Sequence, residues 1–229
     1  MKHPWRVLPA FLVFLVAVGL AAVSITPAPA GPQGQPGAVP QTSKKTAPPG
    51  DASTEAIRLN NLGVAYMGQQ RFDQALKLFE QAYALDPKLF IARLNQGIAL
   101  LNKQQLEEAR AALAEAAERM PKDPRTWYNL GLLYKNLGQP EQGLEAFGRA
   151  VALVPNDADT HYFLGLLYSQ LQKYDESIAA FTRALAINPF HVSAEFGLAR
   201  AYQRKGDSAA ARQHLARFQK LTRKNSAPR

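Results

Sequence analysis

The sequence predicts an all-α fold, about five helix–turn–helix units of 34 residues stacked as a solenoid. Three observations predict it. Pro87, Pro121, Pro155 and Pro189 recur at intervals of 34 residues. Between them small and large side chains return to the same columns when units are numbered from residues 56, 90, 124, 158 and 192. Within each half-unit the repeating columns fall three or four residues apart, which is the period of one helix face.

The elements follow in chain order. Residues 1–25 hold Lys2 and Arg6, an apolar run of 17 from Val7 to Val23, and then small residues. This is the layout of a signal peptide, with Ala28-Pro29-Ala30 or Ala22-Val23-Ser24 as cleavage sites. The run is also just long enough for a transmembrane anchor. Both alternatives place the remainder outside the cytoplasm, because the positive charge lies on the N-terminal side and residues 24–43 carry none. The expectation is a membrane-anchored chain, on the periplasmic side if bacterial, or a secreted one if the signal is cleaved. A bacterial lipoprotein is excluded, since the chain has no cysteine. Residues 26–50 contain seven prolines and four glycines and no hydrophobic period, so they read as an extended, disordered linker.

Residues 51–222 carry the repeat, as units 56–89, 90–123, 124–157, 158–191 and a capping unit 192–222. Position 8 of the unit reads Gly63, Gly97, Gly131, Gly165, Ala199, and position 11 reads Tyr66, Leu100, Tyr134, Tyr168, Tyr202. Position 24 reads Phe79, Leu113, Phe147, Phe181, Leu215, with small residues at position 20 and, Phe218 of the last unit excepted, at position 27. Positions 4, 7, 8 and 11 define one face of a first helix, and 20, 24 and 27 one face of a second. A glycine inside a helix costs about 1 kcal/mol relative to alanine, so its recurrence requires a close approach of the partner helix. The proline ends the second helix, because the residue before it leaves the helical region.

These residues resemble the tetratricopeptide repeat (TPR), whose pattern runs W-x2-L-G-x2-Y, A-x3-F, A, P at period 34. Trp127, Leu130, Gly131, Tyr134, Phe147, Ala150 and Pro155 match it most fully. The resemblance implies a right-handed superhelix, with first helices lining a concave groove that binds a protein or peptide. Arg93, His161 and Glu195 depart from the pattern at position 4, where the family favours a large residue; His161 reads as a partly buried structural histidine.

On a helix turning about 100° per residue, positions 2, 6, 9 and 13 lie opposite the packing face and would line that groove. Position 6 supplies Asn61, Asn95 and Asn129, either a ladder clamping an extended peptide backbone or simply the residue usual at this column. Position 9 supplies Val64, Ile98, Leu132 and Leu166, either an apolar binding stripe or packing between units. Tyr128, Tyr162 and Phe196 are candidate aromatic anchors at the margin. Relatives that hold the acidic tails of cytosolic chaperones use Lys, Asn, Asn, Lys and Arg. The corresponding Asn60, Val64, Asn95, Arg125 and Asn129 do not reproduce that clamp.

Residues 223–229 form a basic tail. With Arg212, Arg217, Lys220, Arg223 and Lys224 the C-terminal end reads as either a solvated cap or a surface for anionic lipid, cell-wall polymer or an acidic partner. The net charge of +9 is concentrated at the ends: residues 1–50 contribute +4 and residues 192–229 contribute +7, leaving −2 for the body between. That distribution argues against a nucleic-acid groove. His3, His161, His191 and His214 make no metal-ligand spacing, and no nucleophile elbow or phosphate loop is present. The reading is a non-catalytic scaffold with no cofactor or metal, engaged in assembly of an envelope or secretory complex. A structural spacer forming a homo-oligomer is the alternative.

Overall fold

The structure, a computed structural model, describes residues 52–226. The expected address segment 1–25 and linker 26–50 lie outside the described residues. The described residues fall within one compact unit. They hold ten helices: α1 (Ala52–Gly68), α2 (Phe72–Leu85), α3 (Phe90–Asn102), α4 (Leu106–Arg119), α5 (Pro124–Asn136), α6 (Pro140–Leu153), α7 (Ala158–Gln170), α8 (Tyr174–Ile187), α9 (Val192–Lys205) and α10 (Ser208–Ser226). Successive helices pack against each other, giving five antiparallel pairs. Two bounds differ from the sequence reading. α1 begins four residues before position 1 of its unit, and α10 runs through the expected boundary at residue 222.

Each unit is locked by the close approach that its glycine permits. Were Gly131 given a Cβ, that atom would lie 2.6 Å from the ring of Phe147, and Gly165 would meet Phe181 at 2.7 Å. Gly97 stands in the same relation to Leu113 at 2.7 Å. The partner at position 24 therefore occupies the volume a side chain at position 8 would take. Phe79, Phe147 and Phe181 are buried as a result, along with small residues such as Ala82, Ala116 and Ala184. The core is a row of apolar clusters passed from pair to pair, as expected of a stack in which each repeat buries its neighbour.

The turns between first and second helices repeat a cap that the sequence conceals. Position 15 is left-handed in all five units: Gln70 (φ 58°), Gln104 (61°), Gly138 (71°), Gln172 (60°) and Gly206 (95°). The amide of the next residue then donates back to the carbonyl of position 11, as Arg71 does to Tyr66 at 3.0 Å and Gln139 to Tyr134 at 2.9 Å. This is a Schellman cap, which terminates the helix and reverses the chain. First helices start on side-chain caps in units three to five: Asp123 accepts from the Arg125 amide, Asp157 from Thr160 and the His191 ring from Ala194.

Two position-4 departures find specific polar partners. The His161 ring bonds the Pro155 carbonyl at 3.0 Å, repeating the bond that Trp127 donates to Pro121 at 2.8 Å. Arg93 reaches Glu115 at 2.7 Å, and the Tyr83 hydroxyl donates to the same carboxylate. Those bonds, Tyr83 first, hold the Glu115 carboxyl below the usual range.

Overpacking a core costs about 1–3 kcal/mol, so Gly131→Ala is expected to destabilise the stack despite alanine's better helix propensity. Adding Phe147→Leu, which copies the Ala199–Leu215 pairing of the last unit, should recover part of the loss in a denaturant titration.

Candidate functional site

The first helices of neighbouring units approach one another along α1–α3, α3–α5 and α7–α9, whereas successive second helices do not approach to that degree. A stack whose first helices are the closer set curves towards them. The groove is therefore lined by α1, α3, α5, α7 and α9.

The expected asparagines do not form a uniform ladder. Asn95 is half-buried and donates to Asn60 Oδ1 at 2.8 Å, while Asn60 is itself buried and 3.5 Å from Asn61 Oδ1. Asn129 donates to the Arg125 carbonyl one turn earlier at 2.7 Å. Asn61 is exposed. Position 6 also borders the seam between units. Phe163, in that column, stacks on Phe147 of the preceding unit with ring centroids 5.4 Å apart. At Gly197 a Cβ would meet the Phe181 ring at 2.6 Å.

The aliphatic column divides along the stack. Val64 is 49% exposed on α1. Ile98 and Leu132 are half-buried against the apolar cluster shared by units two and three, and Leu166 against that of units four and five. Tyr128 meets the rings of Phe147 and Phe163 edge-on at 5.8 and 5.9 Å, and Tyr162 lies 5.0 Å from the His191 ring. Burial is the first cause pushing both phenols up; the charge of Asp159 adds to it, and a hydrogen bond with Ser193 opposes it at Tyr162. Phe196 remains 40% exposed, beside Phe218 at 5.0 Å.

Between α7 and α9 the groove deepens into a recess of about 390 Å³, lined by Leu166, Ser169, Gln170, Tyr174, Arg200 and Arg204. The sequence reading placed Leu166 here. It missed Ser169, at position 12, which the face opposite a single packing partner does not include. Lys135 occupies position 12 two helices earlier, half-buried, with its ammonium on Asn136 Oδ1 at 2.7 Å. Burial pulls its pKa down.

At the basic end, Arg217 is drawn inward. Glu195 is fully buried on α9, where its Oε1 accepts from the His214 ring at 2.9 Å and lies 3.3 Å from the Arg217 guanidinium as an ion pair. The His214 ring stacks on Tyr202 at 5.5 Å. This cluster joins the last two helices and accounts for the acid at position 4. Arg212 and Lys220 stay exposed, as does Arg223, and the Lys224 side chain lies outside the described residues. Among the described residues no group of three or more His, Asp or Glu is placed to hold a metal ion, and no helix is long and apolar enough to cross a membrane.

The tetratricopeptide repeat model matches residues 60–124, 128–192 and 166–226. No curated protein is significantly similar to the chain. Among solved structures, MamA (residues 41 to the end) from Desulfovibrio magneticus RS-1 is 21% identical, with 76% of this chain and 98% of that one covered and a TM-score of 0.71. A second MamA structure is 22% identical, covering 72% and 96%, with a TM-score of 0.67. YrrB, described as a TPR protein with an unusual peptide-binding site, is 23% identical over 72% and 86% of the two chains, with a TM-score of 0.64. These likenesses establish the fold.

Leaving a buried polar group without one of its hydrogen-bond partners costs about 1–3 kcal/mol. Because Arg217 is half exposed and retains Glu195, His214→Ala is expected to lower stability by the smaller end of that range, read as a drop in the thermal midpoint.

Proposed function

The chain belongs to the tetratricopeptide repeat family, and on that premise we propose that it is a non-catalytic scaffold that holds a protein or peptide segment in its groove. The observation that carries this reading is the recess between α7 and α9, where apolar, amide and guanidinium side chains converge on the concave side. Such a mixture suits a polypeptide, whose backbone needs hydrogen-bond partners and whose side chains need apolar surface. YrrB supplies an instance of peptide binding on the same fold. The groove is held outside the cytoplasm by residues 7–23, retained as an anchor or removed as a signal. The Pro/Gly-rich residues 26–50 set it away from the membrane. Its work is assembly of an envelope or secretory complex.

A second reading, self-association, is favoured by the open face of the last unit. There Phe196 and Leu215 are 40% and 39% exposed around a recess of about 440 Å³, where a sixth unit would pack.

Asn102→Trp with Gln170→Trp fills the groove from two exposed positions. Capture of partners by the full chain from source-cell extract is expected to fall about tenfold, equivalent to roughly 1.4 kcal/mol, with the melting temperature unchanged. Undiminished capture would remove the groove reading, and a concentration-dependent oligomer in sedimentation would put the last unit's face in its place. The tether is tested separately. Protease added outside intact source cells, or to spheroplasts if the source has an outer membrane, is expected to digest residues 51–229; full protection would refute the orientation.

A further inference from the structure

Charge on the first helices is sorted. They carry three carboxylates, and each is engaged within the fold: Glu55 with Arg58, Asp159 with His191, and Glu195 with His214 and Arg217. They carry seven lysines and arginines. Four of these have a carboxylate partner: Arg58, Arg93 on Glu115, Arg125 on Asp123, and Lys205 on Asp175. The other three, Lys135, Arg200 and Arg204, have none among the described residues.

These three share a location. They occupy positions 12, 9 and 13 on the groove side of α5 and α9, and Arg200 and Arg204 line the recess between α7 and α9. Positions 9, 12 and 13 of the five units together hold Gly68 and fourteen side chains, with three cations and no carboxylate; the carboxylate at position 2, Asp159, is held by His191. Ten carboxylates stand instead on α2, α4, α6 and α8. Composition does not account for Lys135, which lies in residues 51–191 with their net charge of −2, whereas Arg200 and Arg204 belong to the basic stretch 192–229. Lys135 adds a second argument. Its ammonium is half-buried with only an amide oxygen against it, so an incoming carboxylate would relieve its desolvation.

We propose that the groove of units three to five binds an acidic, amphipathic segment of a partner protein. Its carboxylates meet Lys135, Arg200 and Arg204, and its apolar side chains meet Leu132 and Leu166. This rests on the groove-binding reading and names its ligand. A polyphosphate or nucleic-acid strand would answer the cations and leave the aliphatic side chains between them unmatched. The chain's own ends are not complementary, since residues 1–50 and 208–229 contain no acid.

The test pans a library of random 12-residue peptides against the full chain. Enriched peptides are expected to carry Asp and Glu in excess, interrupted by apolar residues, and to bind more weakly as salt rises. Lys135→Gln/Arg200→Gln/Arg204→Gln is expected to weaken them about tenfold or more, as loss of charge-assisted contacts does. Arg212→Gln/Lys220→Gln on α10 is expected to leave them unchanged. Should the triple variant fail to fold, Arg200→Gln/Arg204→Gln, at two exposed positions, carries the same comparison. Neutral or basic peptides that are lost on Asn102→Trp/Gln170→Trp would overturn the acidic ligand and leave the groove standing. Peptides insensitive to both sets of variants would overturn both. Enrichment of no peptide, or displacement of every peptide by heparin with heparin itself bound more tightly, would overturn the proposal.

Discussion

The contact on which the stack depends is between a missing side chain and a ring. At position 8 the glycine surrenders helix propensity, and the ring or leucine at position 24 takes the vacated volume. The same ring is then used again. Phe181 lies against Gly165 within its own unit and against Gly197 of the next, and Phe147 lies against Gly131 and under Phe163. One side chain thus closes a helix pair and sets the seat of the following pair. Register propagates from unit to unit through that shared contact, and the groove is continuous because the register is. Interiors packed to this density tolerate little adjustment, so the groove is a preformed surface.

Features set by a single helix face were legible in the sequence, and features set by two faces were not. The glycine, ring and proline columns report contacts within one pair, and periodicity reveals them. The left-handed turn at position 15 stayed hidden because Gln70, Gln104 and Gln172 stand where glycine is the usual signal. A left-handed residue other than glycine costs roughly 1–2 kcal/mol, a strain borne by the helix packing on either side of the turn. The departures at position 4 were visible as exceptions, but their reasons lie elsewhere: Glu115 for Arg93, the Pro155 carbonyl for His161, and His214 for Glu195. Such partners are 6 to 22 residues away, beyond any helical period.

The groove shows the same limit. Drawing the open face of an isolated first helix selects positions 2, 6, 9 and 13, which treats the second helix as its one neighbour. In the stack a first helix also touches the preceding second helix and the first helices beside it. Those extra neighbours take up position 6, where Asn95 is tied to Asn60 and Phe163 to Phe147. Position 9 keeps its place in the groove with Ile98, Leu132 and Leu166 half-buried, so Leu132 and Leu166 serve the core and the groove wall together. Position 12 enters the groove as the face rotates, bringing Lys135 and Ser169 with it.

The sorting of charge has a physical logic that packing alone does not supply. A surface ion pair contributes about 0–1 kcal/mol, so stability has little to gain from pairing Arg58 with Glu55 or Arg125 with Asp123. It has as little to gain from leaving Lys135, Arg200 and Arg204 without carboxylates. What the arrangement does change is the field in the concavity. Placing ten carboxylates on the second helices leaves Asp159 at position 2, held by His191, as the one carboxylate at the groove positions of the described residues. A cleft lined with one sign of charge raises the local concentration of the opposite sign and speeds encounter. Selection for fold would not keep acids out of the exposed and half-buried residues at positions 9, 12 and 13, where Leu101 alone is buried. Selection for an acidic ligand would.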